Sequence, residues 1–196
     1  RMWTYASDLD ALQDVLRLSR GMTFKAAISG INLGGGKAVI IGNPRGNLKS
    51  EAFMRRFGKF VNNLNGKYIT AEDVGTTTQD MEYIHMSTKH VTGIPVVMGG
   101  SGDPSPVTAY GTYLGIKASM KKLTGSDSLT GKSIVVQGVG NVGYYLCELL
   151  KKENANIFVF DIFQDKIEKV VKEFGVTVIE DNEVYSYDAD VFAPSA

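Results

Sequence analysis

The stretch Ser133-Ile134-Val135-Val136-Gln137-Gly138-Val139-Gly140-Asn141-Val142-Gly143 decides the fold of the second half of this chain. Its apolar run predicts a buried strand, and Asn141 begins an apolar helix that continues to Glu153. The pattern Gly-x-Gly-x-x-Gly lies between them. Its first glycine permits a tight turn, its second lets the backbone approach a pyrophosphate, and its third lets helix and strand pack closely. The stretch therefore predicts a dinucleotide-binding unit.

The next apolar strand, 156–160, is followed by Asp161, 23 residues after Gly138. This is close to the usual spacing of about 20 residues for the ribose-binding acid. A carboxylate there accepts hydrogen bonds from both ribose hydroxyls and repels a 2′-phosphate. The next residues, Ile162-Phe163, offer no arginine to reverse that preference. The prediction is NAD rather than NADP, and the alternative is that the glycines serve only a tight turn. The predicted cofactor-binding residues are Gly138, Gly140, Asn141, Val142, Gly143 and Asp161.

Strands and helices alternate over residues 132–179, which predicts a parallel sheet wound by right-handed crossovers. Residues 93–106 are rich in glycine and proline and separate this half from the first. We therefore predict an α/β protein of two domains. Residues 1–103 form an α/β substrate domain. Residues 104–196 form a Rossmann-type doubly wound sheet, and both domains are incomplete at the chain ends.

The first half mixes helices with short strands. Its patterns predict a helix from Ser7 to near Gly21, a buried strand at 38–41, a helix capped by Ser50, a strand at 68–70 and a helix at 78–89.

Composition excludes several classes of function. The 21 basic and 21 acidic residues cancel, which argues against nucleic acid or an anionic membrane as a partner. Apolar residues make up 43% of the chain, enough for a core, and the one cysteine, Cys147, fits a reducing compartment. The two histidines lack metal-ligand spacing, so no metal site is predicted. We expect a cytoplasmic globular protein and, because the chain starts at Arg1 and ends in a strand, a piece of a longer one.

Glycine stands beside lysine or acid in three segments of the first half: 21–25, 33–37 and 70–76. A lysine next to a second cation can act as a base near neutral pH. Lys37 fits that role, and Lys25 could supply the cation while holding a carboxylate. Asp73 is placed as an acid or as an ammonium binder. A glycine turn with two solvated lysines and an aspartate helix cap explains the same residues equally well.

Together with 99–111 and 137–143, these segments resemble the amino-acid dehydrogenase family of glutamate, leucine, phenylalanine and valine enzymes. The resemblance extends over essentially the whole chain and is nearest to the leucine enzymes. It implies NAD-dependent, reversible deamination of an L-amino acid to a 2-oxo acid and ammonia, by a homo-oligomer, in a cleft between the domains.

The resemblance also implies residue roles. Lys25 binds the substrate carboxylate, helped by Met22 and the backbone near Gly34 and Gly35. Lys37 activates water, and Asp73 shuttles protons. Thr108 lies near the nicotinamide carboxamide. The implied site residues of the two halves are thus Met22, Lys25, Gly34, Gly35, Lys37, Ala71, Asp73 and Thr108.

Substrate choice stays open within the family. Ala71 resembles the leucine enzymes, which favours leucine, valine and isoleucine, whereas phenylalanine enzymes commonly carry glycine there. Three alternatives remain: a phenylalanine or other amino-acid dehydrogenase, a module that senses NAD without chemistry, and an NAD-linked oxidoreductase acting on a hydroxy acid. The last would more naturally use a histidine base, and neither histidine lies near a glycine-rich motif.

Overall fold

The computed structural model describes residues 1–195, which fall into two compact units, Arg1–Pro104 and a second that begins at Ser105. The first unit contains β1 (Met2–Trp3), α1 (Asp8–Ile28), β2 (Ile40–Ile41), α2 (Glu51–Asn62) and α3 (Thr78–His85), with one 3-10 turn at Val96–Met98.

The first unit has a small parallel sheet and a methionine-rich core. β1 pairs with β2, so that Met2 lies opposite Ile40. Helix α2 packs closely on α3. At Gly58 of α2 a Cβ would lie only 2.7 Å from the Ile84 carbonyl oxygen, so the two helices can come this close only with glycine there. The buried residues at the centre of this core are Met2, Met54, Met81 and Ile84.

Several sequence predictions for this unit are wrong in detail. Helix α1 does not stop near Gly21 but continues to Ile28, because a single helical glycine costs only about 1 kcal/mol. The predicted strand at 38–41 shrinks to β2, and Ile41 is 48% exposed, because β1 is the only strand that pairs with it within residues 1–195. Residues 68–70 contribute only one bridge, Thr70 to Val91. The helix predicted at 78–89 ends early, at His85.

The second unit alternates helices and strands as the sequence predicts. Its elements are α4 (Ser105–Thr124), β3 (Ser133–Gln137), α5 (Asn141–Lys152), β4 (Asn156–Phe160), α6 (Gln164–Phe174), β5 (Thr177–Val178) and β6 (Val191–Pro194). All pairings are parallel, in the order β5-β4-β3-β6. This is half of a doubly wound sheet, and the predicted α/β fold class is confirmed.

The strand order reverses at β3, which is where ligands bind in open α/β sheets. From β3 the chain runs outward to β4 and β5, then returns to the other side of β3 as β6. The core beneath is apolar, and Cys147 lies fully buried in it, where burial raises the pKa of its thiol to about 12. The loop after β3 is therefore the place to look for a nucleotide. Within residues 1–195 no helix combines the length and the apolar character needed to cross a bilayer.

Candidate functional site

Lys37 and Asp73 form an ion pair in the first unit. The Nζ of Lys37 lies 2.5 Å from Oδ2 of Asp73, and both side chains are largely shielded from solvent. Burial alone would raise the pKa of Asp73. The hydrogen bond and charge of Lys37, with the backbone N–H of Val74, outweigh burial and hold that pKa below its usual range. Asp73 is therefore an ionised carboxylate at neutral pH.

Strand β1 brings these two residues together. On one side of it, the Arg1 nitrogen donates to the Ala38 carbonyl at 2.9 Å, next to Lys37. On the other side, the Met2 N–H donates to the Val74 carbonyl at 2.9 Å, next to Asp73. The backbone contacts of one short strand thus bring two distant segments into register.

Two loop features orient the Asp73 segment. Thr76 closes a turn over Asp73, since its hydroxyl donates to the Asp73 carbonyl at 2.7 Å and accepts the Asp73 N–H at 2.9 Å. Gly75 has a φ of +80°, and a Cβ there would stand 2.0 Å from the Met2 carbonyl oxygen. Only glycine permits this approach of the loop to β1.

Arg1 and Asp14 extend the ion pair, and sequence reasoning missed both. The Nε of Arg1 lies 3.9 Å from the same Asp73 oxygen, and its Nη1 lies 3.0 Å from Oδ2 of Asp14. The Tyr5 hydroxyl donates to that Asp14 oxygen at 2.5 Å. Partial burial and this hydrogen bond raise the pKa of Tyr5 to about 12, so Tyr5 is neutral. No sequence motif joins these residues, because their proximity arises from strand pairing.

A second acidic residue stands beside Asp73. Burial raises the pKa of Glu72 to about 7, and the negative charges of Asp103 and Asp80 add to the effect. Asp80 itself is paired, with its Oδ2 2.8 Å from the Nζ of Lys49. Glu72 is therefore a carboxyl group whose charge changes near neutral pH next to an ionised one.

The remaining residues predicted for substrate binding do not join the ion pair. Met22 and Lys25 lie near the end of α1 and are exposed. The glycine loop packs on that helix, because a Cβ at Gly35 would lie 2.1 Å from the Thr23 hydroxyl, whereas Gly34 faces open space. Ala71 is exposed. Within residues 1–195 the Lys25 side chain makes no ion pair, so the predicted gathering of Lys25 with Lys37 and Asp73 stays a prediction.

The glycine loop of the second unit has the geometry of a phosphate cradle. Gly138 has a φ of +90° and donates to the Phe160 carbonyl at 2.7 Å. A Cβ at Gly143 would stand 2.0 Å from the Gly138 carbonyl oxygen, so helix α5 can approach the loop only with glycine there. Gly140 caps α5 with no side-chain hydrogen bond. The first amides of α5, at Asn141 and Val142, thus follow an uncapped helix N-terminus, which favours an anion.

Two charged side chains flank this loop. Asp161 accepts the N–H of Val139 at 2.8 Å and that of Phe163 at 2.9 Å, and its oxygens keep lone pairs for further donors. Lys166, which sequence reasoning missed, places its Nζ 3.6 Å from where a Cβ of Gly140 would stand and 4.8 Å from the centre of the Phe163 ring. A lysine in the first turn after the acid-bearing loop is the signal that could have found it.

Two other sequence predictions concern Thr108 and metal binding. Thr108 lies exposed near the start of α4, and its carbonyl accepts the Thr112 hydroxyl at 3.1 Å, so its role toward a carboxamide stays a prediction. Among residues 1–195, no three His, Cys, Asp or Glu side chains are grouped so that they could hold a metal ion.

Two family models match the chain. The Glu/Leu/Phe/Val dehydrogenase dimerisation domain matches residues 1–90, and the Glutamate/Leucine/Phenylalanine/Valine dehydrogenase model matches residues 99–161. This chain belongs to the Glu/Leu/Phe/Val dehydrogenase family. The resemblance stated from the motifs is therefore confirmed, as is its nearness to the leucine enzymes.

Relatives of this chain within the family are named for different amino-acid substrates. The chain is 54% identical over all 196 residues to leucine dehydrogenase of Bacillus subtilis (strain 168), covering 54% of that protein. It is 45% identical to L-tryptophan dehydrogenase of Nostoc punctiforme, again covering 54% of the relative. It is 46% identical over 201 residues to phenylalanine dehydrogenase of Lysinibacillus sphaericus, covering 52% of that relative. The chain thus spans about half the length of the curated relatives it matches.

Solved structures of the same dehydrogenase family have the same fold. The Nostoc punctiforme L-tryptophan dehydrogenase structure superposes with a TM-score of 0.64 at 44% identity, over 100% of this chain and 54% of that one. The hetero-hexameric glutamate dehydrogenase of Thermus thermophilus, in a leucine-bound form, gives 0.71 at 25% identity, over 93% and 50%.

Proposed function

We propose that this chain is the central part of an NAD-dependent leucine dehydrogenase, which deaminates leucine, valine and isoleucine to 2-oxo acids and ammonia. The observation that carries the proposal is the shielded Lys37–Asp73 pair, in a chain 54% identical to a leucine dehydrogenase. A shielded ion pair that serves only stability is often no better than apolar packing. A lysine and a carboxylate in contact can, by contrast, relay a proton once the lysine is neutral.

The chain's own residues have separate tasks in this proposal. Lys25 binds the substrate α-carboxylate, with Met22 and the backbone at Gly34 and Gly35. The chemistry that NAD would supply, when held at the glycine loop, is a hydride acceptor for the α-carbon. Lys37 then takes a proton from the water that attacks the substrate iminium. Asp73, already 2.5 Å from the lysine nitrogen, passes protons as ammonia leaves.

The glycine loop fits the nucleotide. Gly140 faces open space beside an ammonium group and an uncapped helix N-terminus, where a pyrophosphate would lie. Asp161 is free to accept ribose hydroxyls in addition to the two N–H groups it already binds. Thr108 is proposed to contact the carboxamide.

The finer substrate choice rests on Ala71. A methyl group beside Glu72 and Asp73 leaves less room for an aromatic side chain than glycine would. Because relatives named for tryptophan and phenylalanine are 45–46% identical, an aromatic amino-acid dehydrogenase is the second candidate.

Formation of NADH, followed by absorbance, tests these proposals on the complete protein. With NAD and leucine, phenylalanine, tryptophan or glutamate in parallel, we expect kcat/KM to be highest for leucine. A preference for an aromatic substrate would contradict the leucine assignment and support the second candidate, an aromatic amino-acid dehydrogenase. Binding of NADH without turnover of any amino acid would instead support a sensing module, and turnover of hydroxy acids alone a hydroxy-acid oxidoreductase.

We further propose that the complete protein is a cytoplasmic homo-oligomer. The first 90 residues match a domain described as a dimerisation domain, and α1 exposes Leu9, Leu12 and Leu16. Light scattering after size exclusion gives the number of subunits directly, and a monomer would contradict this proposal.

A further inference from the structure

The Lys37–Asp73 pair poses an electrostatic problem. A lysine that faces one carboxylate is stabilised in its protonated form, which cannot take a proton from water. A second positive charge on the same carboxylate weakens that stabilisation. In this structure Arg1 supplies the second charge, because its Nε faces the Asp73 oxygen that Lys37 contacts.

Arg1 is held in place from both sides. Its backbone is fixed by the pairing of β1 with β2, in which the Ile40 N–H donates to the Arg1 carbonyl at 2.8 Å. Its Nη1 is fixed by Asp14 of α1, and Asp14 is in turn held by the Tyr5 hydroxyl. The Arg1 Nε is buried and makes no hydrogen bond within residues 1–195. It therefore acts on Asp73 through its charge rather than through a shared proton.

Four charges consequently alternate across the site: Lys37, Asp73, Arg1 and Asp14. The other titratable groups that face them are two tyrosines and the α-amino group of Arg1, whose pKa burial lowers to about 6. Tyr5 has a pKa of about 12. Burial chiefly raises the pKa of Tyr68, whose ring packs against Gly36, next to Lys37, and the charge of Asp73 adds to this. At pH 8 these three groups are neutral, so the four charged side chains set the electrostatic balance of the site.

We propose that Arg1 and Asp14 are positioning residues that set the protonation of Lys37 through the carboxylate of Asp73. Arg1 draws on the negative charge of Asp73 and so favours the neutral amine of Lys37. Asp14 limits this by neutralising part of Arg1. The catalytic meaning of the arrangement rests on the proposed function, but the electrostatic coupling does not.

Competitive acetylation measures the coupling without any enzyme assay. The complete protein is treated with trace acetic anhydride over a range of pH, and mass spectrometry quantifies acetylation of Lys37, because only the neutral amine reacts. Arg1→Gln should slow Lys37 acetylation at pH 8 by roughly threefold, and Asp14→Asn should speed it by a similar factor. A threefold change in rate corresponds to a shift of about 0.5 unit in the pH at which half of the Lys37 amine is neutral.

The double variant Arg1→Gln/Asp14→Asn separates charge from structure. If the charges act as proposed, the two opposite effects cancel and acetylation returns to within about twofold of the wild-type rate. Arg1→Lys, which keeps the charge, should do the same and guards against misfolding of the glutamine variant. Arg55→Gln and Glu51→Gln, in an exposed ion pair on α2, are matched controls that should leave Lys37 unchanged.

The signs of these effects decide the outcome. Shifts in the same direction for both single variants, or a double variant worse than either, would show a merely structural role and overturn the proposal. If acetylation behaves as expected but the wild-type protein oxidises no amino acid, the coupling stands and the proposed function fails. If the protein is active, the acid limb of its kcat–pH profile should move to higher pH in Arg1→Gln and to lower pH in Asp14→Asn.

Discussion

The carboxylate of Asp161 accepts the backbone N–H of Val139 at 2.8 Å, so the residue that follows β4 also holds the glycine loop that follows β3. One side chain therefore shapes the loop and, in the proposed function, binds the ribose. The two roles respond differently to the loss of its charge.

Asp161→Asn keeps one oxygen acceptor for the loop but removes the negative charge that repels a 2′-phosphate. We expect the affinity for NADH to fall and the ratio of NADPH to NADH affinity to rise at least tenfold. Fluorescence titration with both nucleotides gives the ratio. An unchanged ratio would show that Asp161 serves the loop alone.

Gly143 and Gly140 provide a matched pair of alanine substitutions. Gly143→Ala forces a Cβ to within 2.0 Å of the Gly138 carbonyl oxygen. The free energy of unfolding should therefore fall by about 1–3 kcal/mol, the usual cost of overpacking. Gly140→Ala meets only the Lys166 ammonium, at 3.6 Å, and should leave stability nearly unchanged while it weakens NADH binding. Urea unfolding and NADH titration of both variants test this contrast, which equal stability losses would contradict.

Lys166→Ala should weaken NADH binding by roughly threefold to tenfold, because it removes an ammonium group next to Gly140. The loss should shrink at high ionic strength, since Lys166 is only partly buried and salt screens its charge. Lys169→Ala, on the same helix but over the Tyr144 ring, is the control and should bind NADH normally. Equal binding by both variants would assign Lys166 no part in the site.

Lys37→Ala should abolish amino-acid oxidation, with kcat reduced by a factor on the order of 10² to 10⁴, the usual contribution of a general base. NADH affinity should stay within twofold of wild type, because the nucleotide loop lies in the other unit. Steady-state kinetics and NADH titration measure both. Turnover at the wild-type rate would remove Lys37 from the mechanism.

Glu72→Gln should change how stability depends on pH. The pKa of Glu72 is raised to about 7 in the folded protein, so the wild type loses stability as pH rises from the ordinary glutamate pKa through 7, where the unfolded chain is already ionised. The variant escapes this loss, and its gain in melting temperature over wild type should be larger at pH 8 than at pH 5. A gain independent of pH would indicate packing rather than ionisation.

The elements of the second half could be predicted almost completely from local signals. β4 has the bounds that the apolar pattern predicts, and α5 begins at the predicted Asn141 and ends one residue before the predicted Glu153. Both elements are bounded by turn residues close to them in the sequence. The first half was less readable. Its strands are two residues long, and β2 depends on a partner that lies far away in the chain, so the pattern at 38–41 overstated both its length and its burial.

The sequence by itself determined the parallel sheet, because strand–helix alternation is a local property, and its resemblance to a known family indicated Lys37, Asp73 and Asp161 as candidate site residues. Only the tertiary structure decided that Arg1 lies between Asp73 and Asp14, and that the Lys166 ammonium lies near Gly140. Coulomb interactions depend on distance in space, and the pairing of β1 with β2 and the approach of α6 to the loop create those distances.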